Sequence, residues 1–172
     1  MKMLLILRHA KSSWKFSGVS DHDRPLKKRG MRDAPRMGWL LREEDLLPDL
    51  ILSSTATRAR KTAELVAEKS GYEGELEYRS DFYGAGPEDY INALSSLTDE
   101  YTRVMVVGHN PGLEELLELL TGEAENLPTA ALAQVALPIQ SWRELSDIQE
   151  SSLEGELVNL WRPRDLGEAS FG

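Results

Sequence analysis

Met3-Leu4-Leu5-Ile6-Leu7 is a continuous apolar run that passes directly into Arg8-His9-Ala10, and its reading decides the fold. A run of this length bounded by polar residues reads as a strand buried on both faces. Arg103-Val104-Met105-Val106-Val107 repeats the pattern and passes into Gly108-His109-Asn110-Pro111-Gly112. In an open α/β sheet, ligands bind just beyond the carboxyl ends of the strands. The chain holds three histidines, and two of them fall at that address.

Outward from these runs, strand-like and helix-like segments alternate, the order of an α/β fold with a largely parallel sheet. A polar loop, roughly 11–28, follows the first strand. A helix is expected over about 29–44, with Ala34, Met37, Trp39, Leu40 and Leu41 forming its apolar stripe. Pro35 falls inside it and is tolerated only near the first turn, which moves the expected start towards Asp33. Leu50-Ile51-Leu52 is a second buried strand ending at Ser53-Ser54, followed by a helix over about 57–69 that Gly71 closes. A short strand near 76–78, an irregular stretch over 81–87 and a helix over about 88–97 lead to the strand at 103–107. Pro111 suits the first position of a further helix, which Gly122 closes. Ala130–Leu137 and Glu156–Trp161 read as the last strands, joined by a polar connection, and the tail after Arg162 as surface-laid or frayed. No repeat, low-complexity segment or linker interrupts the chain. One domain over 1–172 is expected, a mostly parallel mixed sheet with helices on both faces.

Composition narrows the function classes. A chain of 172 residues buries roughly 70% of its unfolded surface, enough for a core without staples. The formal charge of −9, from 29 acidic and 20 basic residues, argues against nucleic acid or an anionic membrane as partner, because both need a cationic footprint. No apolar run approaches the ~20 residues that span a bilayer, and Met1-Lys2-Met3 opens into a strand rather than a secretory leader. Zero cysteines exclude disulfides, thiolate chemistry and Cys-ligated metal. A reducing, cytoplasmic setting fits these features.

Arg8-His9 after the first strand, Arg58 after the second and His109 after the fourth converge on one crevice, as a phosphate site would by charge and geometry. The guanidinium fork binds phosphoryl oxygens bidentately and stays charged at any working pH. A neutral imidazole is a competent nucleophile towards phosphorus, and fixed positive charge nearby depresses its pKa. Arg58 heads a helix, where a cation opposes the helix dipole, and a bound anion supplies a reason for it to be there. Other features read more plainly. His22 is expected as a surface histidine, and Asp23 with Arg24 as an ion pair fixing the loop. Leu127-Pro128-Thr129 is expected to shape a rim, the four tryptophans to pack core or loops, and Glu114, Glu115 and Glu118 to form a solvated helix face. Trp14 also stands close enough to His9 to line a substrate mouth.

Leu7-Arg8-His9-Ala10 resembles the signature of the histidine phosphatase superfamily, the phosphoglycerate mutase-like fold. Further blocks resemble its SixA-like phosphohistidine phosphatase branch: Arg8 to Ser12; Asp23-Arg24-Pro25-Leu26 with Arg29-Gly30; Ser54 to Ala59 with Thr62-Ala63; Gly108 to Gly112; and Leu127 to Ala130. They run in order from residue 3 to about 137. The resemblance implies that His9 attacks phosphorus and is transiently phosphorylated, while Arg8, Arg58 and His109 clamp the equatorial oxygens. Ser12, Ser54 and the Gly108 backbone are implied as secondary phosphate contacts. Neither metal nor cofactor is implied, since the arginines supply the positive charge.

The leaving group decides the substrate. In the acid-phosphatase branch an acidic residue follows the second histidine, whereas Asn110 stands here. Asp81 is a general-acid candidate in shifted register relative to the mutase branch, and Glu88 a weaker one. Without a clearly placed acid, an N–P substrate is favoured: phosphohistidine on a signalling or phosphotransfer protein, with inorganic phosphate as product. The short stretch between Leu76 and Glu88 leaves little chain for a cap, which suits a side chain presented by a protein. A phosphatase of small phosphate esters and a non-catalytic phosphate-binding module remain the alternatives.

Overall fold

In the computed structural model, which describes residues 1–148 and 153–167, Lys2–Arg8 forms strand β1 near the middle of a six-stranded sheet. The chain continues through α1 (Lys28–Glu43), β2 (Leu50–Ser54), α2 (Thr57–Ser70), β3 (Glu75–Arg79), α3 (Pro87–Ser95) and β4 (Arg103–Gly108). It closes with α4 (Gly112–Thr121), β5 (Leu132–Leu137) and β6 (Glu156–Trp161). The sheet order is β3-β2-β4-β1-β5-β6. Strands β1 to β4 pair in parallel, and β5 and β6 add antiparallel. The parts of the expected connection and tail at 149–152 and 168–172 lie outside the described residues.

The apolar runs sit centrally because both faces of those strands are covered. In β1, Leu4 and Ile6 join one core with Tyr90 and Leu94 of α3 and Leu113 and Leu117 of α4. Leu5 and Leu7 point the other way, into a second core with Met37 and Leu41 of α1 and Ala63 and Val66 of α2. Alternation along an extended strand feeds both layers. All four leucine and isoleucine side chains are fully buried. Each contributes about 1.5–3 kcal/mol of hydrophobic stabilisation.

Helix α1 starts at Lys28, earlier than Pro35 suggested, so this proline lies well inside the helix. A proline there costs about 3 kcal/mol. Packing outweighs it: Ala34, Met37, Leu40 and Leu41 bury the expected stripe. Two glycines let the helix approach closely. A Cβ on Gly30 would collide with the Lys11 carbonyl, and one on Gly38 would come within 2.6 Å of the Val66 carbonyl oxygen in α2. Helix α4 starts at Gly112, one position after Pro111. Among the described residues, no helix is long and apolar enough to cross a membrane.

Candidate active site

Strands β2, β4 and β1 are neighbours and run parallel, so whatever follows their last paired residues emerges side by side. Arg8 pairs with Gly108, and the His9 N–H donates to the Gly108 carbonyl at 3.0 Å. That register sets the His9 and His109 rings 5.2 Å apart, centroid to centroid. Thr62 ties the end of β1 to α2: its hydroxyl accepts the Ala10 N–H at 2.9 Å and donates to the Arg58 carbonyl at 2.7 Å. Above these residues lies a cavity of about 240 Å³, lined by Arg8, His9, Lys11, Ser12, Trp14, Arg24, Arg58, His109, Asn110 and Thr129. Among the described residues, all four charged side chains in this lining, three arginines and a lysine, are cationic.

His9 is fixed in one tautomer by its own backbone. Its Nδ1 lies 2.8 Å from the Ala10 carbonyl oxygen, which can only accept, so in the neutral ring Nδ1 carries the proton. The Nε2 lone pair is thereby left free. Burial, followed by the nearby charges of His109, Arg58 and Arg8, lowers the ring's pKa to about 3, against an upward pull from the Ala10 carbonyl. The imidazole is therefore neutral across the physiological range.

His109 is held differently. Its Nε2 lies 2.8 Å from the Ser54 hydroxyl, which can donate or accept, so either tautomer satisfies the contact. Its Nδ1 is buried with no hydrogen-bond partner among the described residues. Burial and then Arg58 push its pKa down to about 4, with Asp21 opposing. The Tyr90 hydroxyl accepts the His109 N–H at 3.3 Å.

The arginines are oriented by acceptors behind them. Arg8 Nη1 donates to the Leu127 carbonyl at 3.0 Å. The same carbonyl accepts from Asn110 Nδ2 at 2.8 Å, and the Leu127 N–H donates to Glu114 at 2.7 Å. Arg58 donates twice to Asp21, to its carbonyl at 2.7 Å and its carboxylate at 3.2 Å. Arg24 donates from Nε to the other Asp21 oxygen at 3.1 Å and from Nη1 to the Ser12 hydroxyl at 2.7 Å. The hydroxyl of Tyr83 donates to Asp21 at 2.6 Å; this bond, with Arg58 and Arg24, lowers the Asp21 pKa to about 2. The Nε–H groups of Arg8 and Arg58 are buried and find no acceptor among the described residues. Buried donors without acceptors beside an open cavity are the condition an anion relieves.

The structure brings Arg8, His9, Arg58, His109 and Ser12 to one cavity. Ser54 and Gly108 stand behind it: Ser54 supports His109, and Gly108 has no room for a side chain, because a Cβ would meet the Tyr90 hydroxyl. Asp81 is not in the lining; both its oxygens take donors from Arg79, at 3.0 and 2.9 Å. His22 is more engaged than a plain surface residue, with Nε2 3.0 Å from the Thr55 hydroxyl and its ring edge-on to Tyr83. Arg24 pairs with Asp21 rather than Asp23, and its guanidinium lies over the Trp14 ring at 3.5 Å. Sequence reasoning missed Arg24, Asp21 and Asn110 as site residues, although Arg24 and Asn110 lie inside the quoted motif blocks. Glu114 is not merely solvated, since it anchors the Leu127 turn. No three acidic or histidine side chains among the described residues group as metal ligands would.

Residues 4–82 match the sequence profile of the histidine phosphatase superfamily (branch 1). A chloroplastic protein of Arabidopsis thaliana, itself uncharacterised, is 37% identical over 152 residues, which cover 83% of this chain and 70% of that protein. An uncharacterised Mycobacterium tuberculosis protein is 36% identical over 138 residues, covering 74% and 84%. The crystal structure of an Agrobacterium tumefaciens protein assigned as a phosphohistidine phosphatase SixA superposes with a TM-score of 0.79 at 30% identity, over 94% of this chain and 98% of that one. A protein histidine phosphatase SixA complexed with tungstate shares the fold, with a TM-score of 0.81 at 23% identity over 96% and 99%. With the strand-end histidines and arginines in place, these likenesses identify the chain as a member of the histidine phosphatase superfamily.

Proposed function

We propose that the protein hydrolyses phosphohistidine on a partner protein through a phosphoenzyme on His9. The observation that carries this reading is that no carboxylate lines the cavity among the described residues. Asp81 is ion-paired outside it, and Asp21, behind Arg58, is held ionised by a pKa of about 2 and has no proton to give at neutral pH. An alkoxide leaving group needs a general acid, whereas an imidazole leaving from phosphorus needs far less help.

In the first step the His9 Nε2 lone pair attacks phosphorus, a new N–P bond forms, and the substrate's N–P bond breaks in line. The departing imidazole keeps the electron pair and takes its proton from solvent. Arg8, Arg58 and His109 hold the equatorial oxygens and offset the charge that develops. Arg24 adds a third guanidinium at the mouth. In the second step water attacks the same phosphorus, the bond to His9 Nε2 breaks, and inorganic phosphate leaves. The Ala10 carbonyl keeps the Nδ1 proton in place throughout, so the ring accepts the phosphoryl group as a cation and returns to the same tautomer.

Phosphate release from a phosphohistidine-bearing protein, compared with a panel of phosphomonoesters in EDTA, tests this reading. Fast turnover on the protein alone, lost in His9→Ala, is expected. A preference for a small ester that collapses in Asp81→Asn would transfer the activity to ester substrates.

A further inference from the structure

Beside the cavity lies a second cleft, of about 310 Å³, with a charge unlike the rest of this acidic protein. Among the described residues five arginines line it, Arg29, Arg32 and Arg36 from α1 and Arg162 and Arg164 from the chain after β6. The one carboxylate in the lining among the described residues is Asp33, which is buried and shared by Arg36 at 3.2 Å, Arg32 at 3.6 Å and Arg29 at 3.7 Å. Arg162 and Arg164 each have an acidic neighbour, half-buried Glu125 at 3.5 Å and exposed Asp165 at 3.8 Å. The excess positive charge therefore sits on α1. It is increased by the helix start, where Lys27, Lys28 and Arg29 meet the positive end of the dipole with no acidic residue in the first turn and no side-chain cap. In a chain of formal charge −9 such a concentration is a local exception, and an anion lying over it would relieve the repulsion among the guanidiniums.

Thr129 lines both this cleft and the cavity over His9, so the two share a wall at this residue. The side chains of Arg29, Arg32 and Arg164 are 54%, 62% and 77% exposed. Small polyanions are normally enclosed by their sites. Guanidiniums standing in solvent suit an extended acidic surface instead. We propose that the cleft docks an acidic segment of the phosphorylated partner protein, lying next to the phosphohistidine that enters the cavity. The proposal rests on the phosphohistidine reading and adds the partner's chemistry to it.

Two synthetic phosphohistidine peptides, one flanked by a glutamate run and the other by an alanine run, separate the possibilities. The wild-type protein is expected to hydrolyse the glutamate peptide with kcat/KM roughly tenfold higher, a gap that narrows as salt is added. Arg29→Ala with Arg32→Ala removes exposed charges and leaves Arg36 on Asp33. It should erase the gap while leaving the alanine peptide's rate unchanged. Equal rates in the wild type, or a gap that survives in the variant, would overturn the proposal. A second arm does not depend on turnover: fluorescence anisotropy of an unphosphorylated glutamate-run peptide. If neither phosphopeptide is hydrolysed, the phosphohistidine reading fails and this arm decides the cleft alone. Binding that weakens several-fold in the double variant and persists in His9→Ala would uphold docking. No binding, or tight binding of inorganic tripolyphosphate in place of the peptide, would overturn it.

Discussion

His9 and His109 occupy equivalent addresses, each just past a buried parallel strand, yet their surroundings prepare them for opposite work. The Ala10 carbonyl pins the His9 proton on Nδ1 and exposes a lone pair on Nε2. The Ser54 hydroxyl contacts His109 at Nε2 and leaves the proton's place open, with Nδ1 buried and unpartnered among the described residues. In the proposed mechanism, the first ring is the nucleophile and the second a hydrogen-bonding partner for the phosphoryl oxygens. Proximity to a strand end makes a histidine available. The group behind it decides what it does.

The largest test of this difference is removal of the free lone pair. His9→Ala should lower kcat by at least about 10⁴-fold, since the other imidazole in the cavity, His109, has its Nε2 engaged by Ser54. Stopped assays with His9→Ala and wild type side by side check this. Arg58→Lys comes next, with a loss on the order of 10²-fold in kcat/KM, because a point charge cannot reproduce the fork that Asp21 orients. His109→Ala should cost about as much, and His109→Gln, which keeps an N–H donor, less. That ranking would reverse if His109 were the attacking ring. Ser54→Ala should cost under about tenfold, since it removes only a supporting contact.

The same comparison predicts a pH response. Burial places the pKa of both rings below the ordinary histidine value of 6.5, at about 3 for His9 and about 4 for His109. Between those values and 6.5 the unfolded chain binds more protons than the folded protein, so stability rises with pH across this window and is lost as pH falls through it. Urea midpoints measured at descending pH should drop, and His9→Asn, which removes one of the two groups, should flatten the slope. An unchanged slope would contradict the buried, neutral state assigned to His9.

Most of the sheet, and the positions that bring Arg8, His9, Arg58 and His109 to one cavity, were legible because their signals are local. Long apolar runs have one reading when both faces are covered, and β1 and β4 proved to be the central pair. The loop over 11–27 carries no periodicity, and its contribution arises only in three dimensions. Asp21 becomes meaningful when Arg58, distant in sequence, folds against it. The same contact unmasks Arg24, which pairs three residues back instead of with its neighbour Asp23. Pro35 misled for a related reason, since its local cost is overridden by packing between α1 and α2. Trp14 shows the limit from the other side: it is 76% exposed, lies over Arg24 and lines the cavity, where composition alone favours packing.

The proposed chemistry turns on where the phosphoryl group goes. Rapid quench into alkali during turnover, followed by peptide mapping by mass spectrometry, would capture the intermediate. The predicted result is a single base-stable, acid-labile phosphoryl group on His9, attached at Nε2 and absent from His9→Ala. A phosphoryl group on His109, or turnover that proceeds with no phosphoenzyme, would contradict it.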